Sequence, residues 1–220
     1  DMDEAFTAIQ LWVAAPNTGT PQDDIRDDAP STGIHQSYIS SVLNLCSLNK
    51  SADILELCGG AGRISQVAFR RGLTSAGNLD LTTNVDLSNA NTQNEILHFL
   101  DTHTIKFVIL QPNCRTMSKL AAANRSLHPA THYEHHQQDL PHIIFCGKVA
   151  LLQHKKGNYF CREQPAGNNM HTIRPWDQIS NMPDVKSVLM DQCMTGQQLA
   201  NGVPVRKRTE WLSNSQIFLQ

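Results

Sequence analysis

Residues 54–63 read Ile-Leu-Glu-Leu-Cys-Gly-Gly-Ala-Gly-Arg, and no other stretch constrains the fold as much. A short apolar run (Ile54, Leu55, Leu57) carries an acid, Glu56. It breaks into Gly59, Gly60 and Gly62, and a helical pattern resumes from Arg63 to Arg71. That is a strand, a tight glycine turn and a helix start. Glycines let the backbone turn sharply and leave room for a ligand against bare N–H groups. A dinucleotide site wants Gly-x-Gly-x-x-Gly, with pyrophosphate on the helix N-terminus. The spacing here is Gly-Gly-x-Gly, with an acid three residues before the first glycine. A carboxylate there repels phosphate and suits a cation or an amine. The competing reading is a glycine-rich turn with no ligand.

The remaining pattern places this turn in an α/β chain. Residues 1–14 predict a short amphipathic helix (Phe6, Ile9, Leu11, Trp12, Val13), and residues 15–33, rich in Pro, Asp, Thr and Gly, a flexible arm. The division is therefore 1–33, helix and arm, and 34–220, the main domain. A helix is predicted over 35–48, a strand over 53–57, a helix over 63–71, a strand ending on Asp80, and a helix over 91–102. Lys106–Leu110 is the clearest buried strand. A His-rich polar stretch (128–142) reads as a flexible loop, followed by a helix to about 156. Asn158–Arg162 reads as a strand ended by Glu163-Gln164-Pro165. Val185–Met190 is a strand or short helix, and Trp211–Asn214 and Gln216–Leu219 are late strands. Strands alternating with helices imply a mostly parallel sheet with helices on both faces and ligands at the carboxyl ends of the strands.

Composition narrows the class. The formal net charge of −2 counts against a chain that grips nucleic acid by charge alone. No apolar run reaches the length of a membrane span, and there is no signal peptide. The chain opens on Asp1 rather than Met, which suggests an excised domain or a processed product. The six cysteines are scattered, with no Cys-x-x-Cys pair. That argues against structural zinc and a disulfide scaffold and for an intracellular setting, nuclear or cytoplasmic. The histidines His128, His132, His135, His136 and His142 lack the His-Glu-x-x-His pattern. We read them as a polar loop over substrate, with no metal site.

Three predicted strand ends carry polar residues: Glu56–Gly62, Asp80–Asp86 and Gln111–Ser118. Asp80 is placed to accept the two ribose hydroxyls of a nucleoside, and Asp86 to meet an adenine amine. Cys114 lies four residues past an apolar strand, in a Pro-initiated loop. Arg115 beside it would lower its pKa, and a thiolate is a strong nucleophile.

The Glu-to-glycine segment resembles motif I of the S-adenosylmethionine (SAM)-dependent methyltransferases, whose ligand is cationic and carries no phosphate. Pro112-Asn113-Cys114-Arg115-Thr116-Met117-Ser118 resembles the Pro-Pro-Cys-Gln-x-Phe-Ser loop of the DNA cytosine-5 methyltransferases. Phe160-Cys161-Arg162-Glu163-Gln164-Pro165 resembles that family's Glu-Asn-Val motif, and Gly202-Val203-Pro204-Val205-Arg206-Lys207-Arg208 its Gly-Val-Pro-Gln-x-Arg-x-Arg motif. The matches occur in family order over roughly residues 50–214. Divergent phage- and mobile-element-like members share a Glu-x-Pro variant and a later Asp-x-Cys, here Asp191-Gln192-Cys193.

The resemblance implies a Rossmann-like SAM-dependent methyltransferase fold. It implies SAM held by Glu56, Cys58, Gly59, Gly60, Gly62, Asp80, Leu81, Asp86, Leu87, Gln111 and Pro112. It also implies methylation of cytosine carbon 5. Cys114 would add to carbon 6, making carbon 5 nucleophilic. Glu163 would serve ring nitrogen 3, and Arg206 and Arg208 would hold the base oxygen or backbone phosphates. The base must leave the duplex to be reached.

The chain departs from the family at Asn113, Arg115, Gln164 and Pro165. Little sequence follows Arg208, so a target-recognition domain is expected from a partner chain or a missing segment. The acceptor is DNA before RNA. The alternatives are methylation of an RNA base or 2′-hydroxyl, with Lys106, Lys148 and Glu163 available for the latter, and an inactive methyltransferase-like scaffold.

Overall fold

A computed structural model describes residues 51–119, 121–195 and 198–219. The helix predicted over 1–14, the arm over 15–33 and the helix over 35–48 lie outside the described residues. The described chain forms six strands: β1 Ser51–Leu57, β2 Ser75–Leu79, β3 Thr104–Leu110, β4 Tyr159–Pro165, β5 Lys186–Asp191 and β6 Arg208–Ser213. Its helices are α1 Arg63–Arg70, α2 Ala90–Thr102, α3 Ala121–Leu127, α4 Pro129–Lys155 and α5 Trp176–Ser180. The strands make one sheet, ordered β2-β1-β3-β4-β6-β5. The first four pair in parallel, and β6 runs antiparallel to both β4 and β5. The protein is therefore α/β with a mixed, mostly parallel sheet.

Alternation along the strands divides the core in two. Ile54 of β1, Phe107 and Ile109 of β3 and Trp211 of β6 face the side covered by Ile64 and Ala68 of α1. Leu55, Leu57, Val108 and Leu110 face the other side, against α2 and α4. Helices on opposite faces follow from the connections. The chain steps one way from β1 to β2 and the other way from β2 to β3. Two right-handed crossovers in opposite directions must use opposite faces. Each fully buried Leu, Ile or Phe contributes roughly 1.5–3 kcal/mol. Among the described residues no helix is long and apolar enough to cross a membrane.

Several sequence expectations change. The His-rich stretch is not a loop but the first half of α4, a 27-residue helix. Pro129 opens it at a position where the missing N–H costs nothing. Its second half is anchored by Ile143, Phe145, Cys146, Val149 and Ala150. The polar first half extends that anchored helix and packs on the Cys114 loop. Gln216–Leu219 is a turn, not a strand. The Ser215 hydroxyl accepts the Phe218 N–H at 3.3 Å, and Phe218 folds back onto Phe107 and Trp211, each 5.6 Å between ring centroids. β4 runs on to Pro165, so Glu163 lies within a strand rather than after it. Residues 186–191 are a strand. Helices α3 and α5 were not expected from the sequence. Trp176 is fully buried, and its Nε1–H donates to the Ile143 carbonyl at 2.9 Å.

Candidate functional site

Register brings the predicted strand ends to one line. Leu57 pairs with Leu79 and with Leu110, and Leu110 pairs with Arg162. Cys58, Asp80, Gln111 and Glu163 are therefore each the first residue beyond that line. The chain order reverses at β1, with β2 on one side and β3 on the other. In an open α/β sheet that switch point, at the carboxyl ends of the strands, is where ligands bind.

The glycine loop is built around two acids. Glu56 is 1% exposed, and its Oε2 accepts the Ser65 N–H at 2.6 Å. The Ile64 N–H also bonds this carboxylate. The two amides belong to the first turn of α1, so Glu56 occupies the helix terminus that a phosphate takes in dinucleotide sites. Burial raises its pKa against the pull of those two bonds, and Asp80 adds to the rise. A Cβ on Gly59 would stand 2.7 Å from Asn78 Oδ1 and 2.8 Å from Glu56 Oε1, so only glycine fits there. Gly60 faces open space. Its N–H donates to Asp80 Oδ2 at 3.1 Å, and its carbonyl accepts from Asn78 Nδ2 and Thr82 Oγ1, each at 2.8 Å. Cys58 holds a left-handed φ of 60°, a conformation that costs a non-glycine residue about 1 kcal/mol. Its thiol hydrogen-bonds with buried Cys146 of α4.

The structure therefore divides the residues expected at the cofactor. Asp80 also accepts the Thr82 N–H on Oδ1 at 2.8 Å. A carboxylate has about four acceptor sites, so capacity remains for a ribose hydroxyl beside these bonds and the capping-box bond at Thr83. Leu81 is 71% exposed, and Asp86 is exposed with Oδ1 accepting the Ser88 N–H. Leu87 is a core residue, so its side chain faces away from any ligand. Gln111 is bonded through its N–H to the Leu57 carbonyl at 3.0 Å. Pro112 is buried, and its carbonyl accepts from Gln164 Nε2 at 2.6 Å.

The Cys114 loop is clamped by side chains from elsewhere. The Asn113 N–H donates to His142 Nε2 at 3.1 Å, and Asn113 Nδ2 to Asp139 Oδ1 at 3.2 Å. Arg115 Nε donates to Asp139 Oδ2 at 2.9 Å, and its Nη2 to Gln138 Oε1 at 3.0 Å. Burial lowers the His142 pKa, and a neutral imidazole is the form that can accept the Asn113 N–H. The departures from the cytosine-5 pattern at Asn113, Arg115 and Gln164 thus share one job: they tie the loop to α4 and β4.

One expectation is corrected. Arg115 does not activate Cys114, because its guanidinium is turned to Asp139. Burial raises the Cys114 pKa. Lys207 lowers it, and Glu163 and Asp139 raise it. Arg206 and Arg208 were expected to hold the base oxygen or backbone phosphates; neither is the partner of Glu163. Arg206 Nε pairs with Asp191 Oδ2 at 3.3 Å, and Arg208 is exposed, paired in register with Asp191. Lys207 is the cation present, with Nζ 3.2 Å from Glu163 Oε1. Strand alternation explains the choice. Glu163 lies opposite Trp211 on β6, so Thr209 and Lys207 share its face, whereas Arg206 and Arg208 do not. Period-two counting back from Trp211 would have found Lys207. No sequence signal marked Asp139.

Lys106 pairs with Asp53 at 2.7 Å near the start of β3 and β1, at the far end from Glu163, and Lys148 is exposed on α4. The lysine set considered for 2′-hydroxyl methylation is not assembled. Among the described residues no group of three or more His, Cys, Asp or Glu side chains is placed to hold a metal ion. No protein-family model matches the chain, and no curated protein matches it.

Proposed function

We propose that the protein is a SAM-dependent methyltransferase of Rossmann-like fold that acts on cytosine carbon 5 in nucleic acid, DNA before RNA. The observation that carries this reading is the alignment at one sheet edge of an acid-lined glycine loop with a thiol, a carboxylate and an ammonium. Glu56 already fills the α1 terminus, which disfavours a phosphate ligand and suits a nucleoside that is cationic. Gly60 gives that ligand an open approach, and Asp80 keeps acceptor capacity for its ribose. The residues present fit SAM. When bound, SAM supplies an electrophilic methyl group to the ring carbon that Cys114 activates.

The chain's own residues account for the activation. The Cys114 thiolate adds to carbon 6, and the electron pair moves toward carbon 5 and ring nitrogen 3. Glu163, beside Lys207, would donate a proton or hydrogen bond from its carboxyl group to nitrogen 3 as negative charge builds there. Lys207 stabilises the thiolate before attack. The clamp of Asn113, Arg115 and Gln164 fixes where the thiol stands. A loop held in one geometry lowers the entropic cost of reaching the transition state.

The test is calorimetric titration with SAM and with its demethylated product, S-adenosylhomocysteine. We expect micromolar binding that is lost on Asp80→Ala. A folded protein that binds neither overturns the reading.

A further inference from the structure

Two thiols from different elements meet behind the glycine loop. Cys58 is the first residue past β1 and is half-buried, whereas Cys146 is fully buried in the anchored half of α4. Cys58 packs against the core cluster that contains Cys146, and the two thiols share a hydrogen bond. Cys161, equally buried, belongs to the core on the opposite face of the sheet. Cys58 keeps a side chain in a left-handed conformation that glycine takes at less cost, and that side chain reaches the second thiol. Its backbone is held in place. The Cys58 N–H donates to the Leu79 carbonyl at 3.0 Å, and the Gly59 N–H to Asn78 Oδ1 at 3.1 Å. The bond to Cys58, and then burial, raise the Cys146 pKa, so the buried thiol keeps its proton.

We propose that Cys58 and Cys146 are a modification site: a peroxide joins them in a reversible disulfide, and that bond weakens cofactor binding at the glycine loop. The effect on the cofactor rests on the methyltransferase reading; the formation of the bond does not. Cys58, the more exposed of the two, meets the peroxide first. Its sulfur bonds one oxygen, the O–O bond breaks, hydroxide leaves, and Cys58 becomes a sulfenic acid. The Cys146 sulfur then bonds the Cys58 sulfur as the S–O bond breaks, and the Cys146 proton leaves with the hydroxyl as water. In sum two thiols and one peroxide give one disulfide and two waters; the sulfurs are oxidised and the peroxide reduced. A disulfide holds its sulfurs about 2.05 Å apart, closer than two hydrogen-bonded thiols stand. Closing that gap draws Cys58 toward α4. Gly59 has no room to follow, since a Cβ there would already stand 2.7 Å from Asn78 Oδ1. The shift falls on the peptide between Gly59 and Gly60, whose N–H is bonded to Asp80.

The experiment treats the reduced full chain with hydrogen peroxide, stops the reaction with catalase and maps the cysteines by mass spectrometry of a non-reduced digest. We expect the Cys58 and Cys146 peptides joined, with the loss of two hydrogens, and both thiols restored by dithiothreitol. In Cys146→Ala the sulfenic acid on Cys58 has no partner and is trapped by dimedone. The wild-type digest carries the test on its own if that variant does not fold. A wild-type Cys58 that stays a thiol, ends as a dimedone adduct or a sulfinic acid, or is joined to another cysteine overturns the proposal. Calorimetry then compares S-adenosylhomocysteine binding before and after oxidation. The joined form binds about tenfold more weakly, within the usual range for coupling between two sites, and dithiothreitol restores the affinity. Unchanged affinity in a protein that carries the bond overturns its hold on the glycine loop and leaves the methyltransferase reading standing. A reduced protein that binds no S-adenosylhomocysteine overturns that reading instead, while the joined peptides still decide whether the bond forms.

Discussion

The glycine loop and the Cys114 loop leave adjacent strands at the same level of the sheet, yet they are held in different ways. The glycine loop closes on itself. Its anchoring bonds, Ser65 to Glu56, Gly59 to Asn78 and Gly60 to Asp80, join residues 9, 19 and 20 apart in sequence. The Cys114 loop is held mainly by side chains much farther along the chain. Its anchors reach 24 residues to Asp139, 29 to His142 and 52 to Gln164. A loop that takes its acids and glycines from β1, α1 and β2 forms with its βαβ unit. A loop held by a distant helix and strand takes shape only when the whole sheet is assembled. The two can therefore be broken separately.

The largest separation should come from Cys114→Ser. Removing the nucleophile is expected to cost methyl transfer at least about a thousandfold. S-adenosylhomocysteine affinity, measured by calorimetry, should stay within about twofold. A variant that retains transfer would show that the reaction does not use the thiol.

Arg115→Leu tests the clamp next. It leaves Asp139, whose side chain is 4% exposed, as a buried charge bonded only by Asn113. Arg115 is itself 41% exposed, so removing it costs about 1–3 kcal/mol, the range for a buried acceptor that loses a partner, read here as a lower urea midpoint at constant slope. The glycine loop should not feel it, so cofactor affinity in native conditions is expected to be unchanged. Gly59→Ala makes the opposite cut. The added methyl meets Asn78 Oδ1 and Glu56 Oε1 inside 3 Å. That overpacking is worth about 2 kcal/mol and falls on cofactor binding. Alkylation of Cys114 by iodoacetamide, followed by mass spectrometry of its peptide, should proceed at the wild-type rate.

This contrast also explains what the sequence disclosed. Glu56, Gly59, Gly60 and Asp80 were legible because the bonds between them lie within one βαβ unit, where spacing dictates geometry. Strands β1 and β3 were legible from their apolar runs, since a buried parallel strand has few other compositions. Asp139 was not legible. It sits in a His-rich, polar run whose helical state depends on the apolar anchor that begins at Ile143, and its partners are more than twenty residues away. Arg206 and Arg208 were carried over from the motif they resemble, whereas strand alternation brings the residue between them, Lys207, to Glu163.

The smallest effect concerns the charges around the thiol, and its sign is the informative part. Burial raises the Cys114 pKa, so the reactive thiolate is the minor form at neutral pH and its share grows as pH rises. Lys207 opposes that rise. Lys207→Gln removes the opposing charge, so the pH profile of Cys114 alkylation should move to higher pH. Glu163 contributes to the rise, so Glu163→Gln should move the same profile to lower pH. Lys207 and Glu163 are paired at 3.2 Å, so each single change also frees the other's charge. The double variant removes both, and its profile should lie between the two singles. Alkylation reads the thiol without cofactor or acceptor, so the result bears on the site whatever the acceptor is. Shifts of the same sign in both single variants would show that loop geometry governs the thiol. The roles given to Lys207 and Glu163 would then have to be exchanged for one held by the Asp139 clamp.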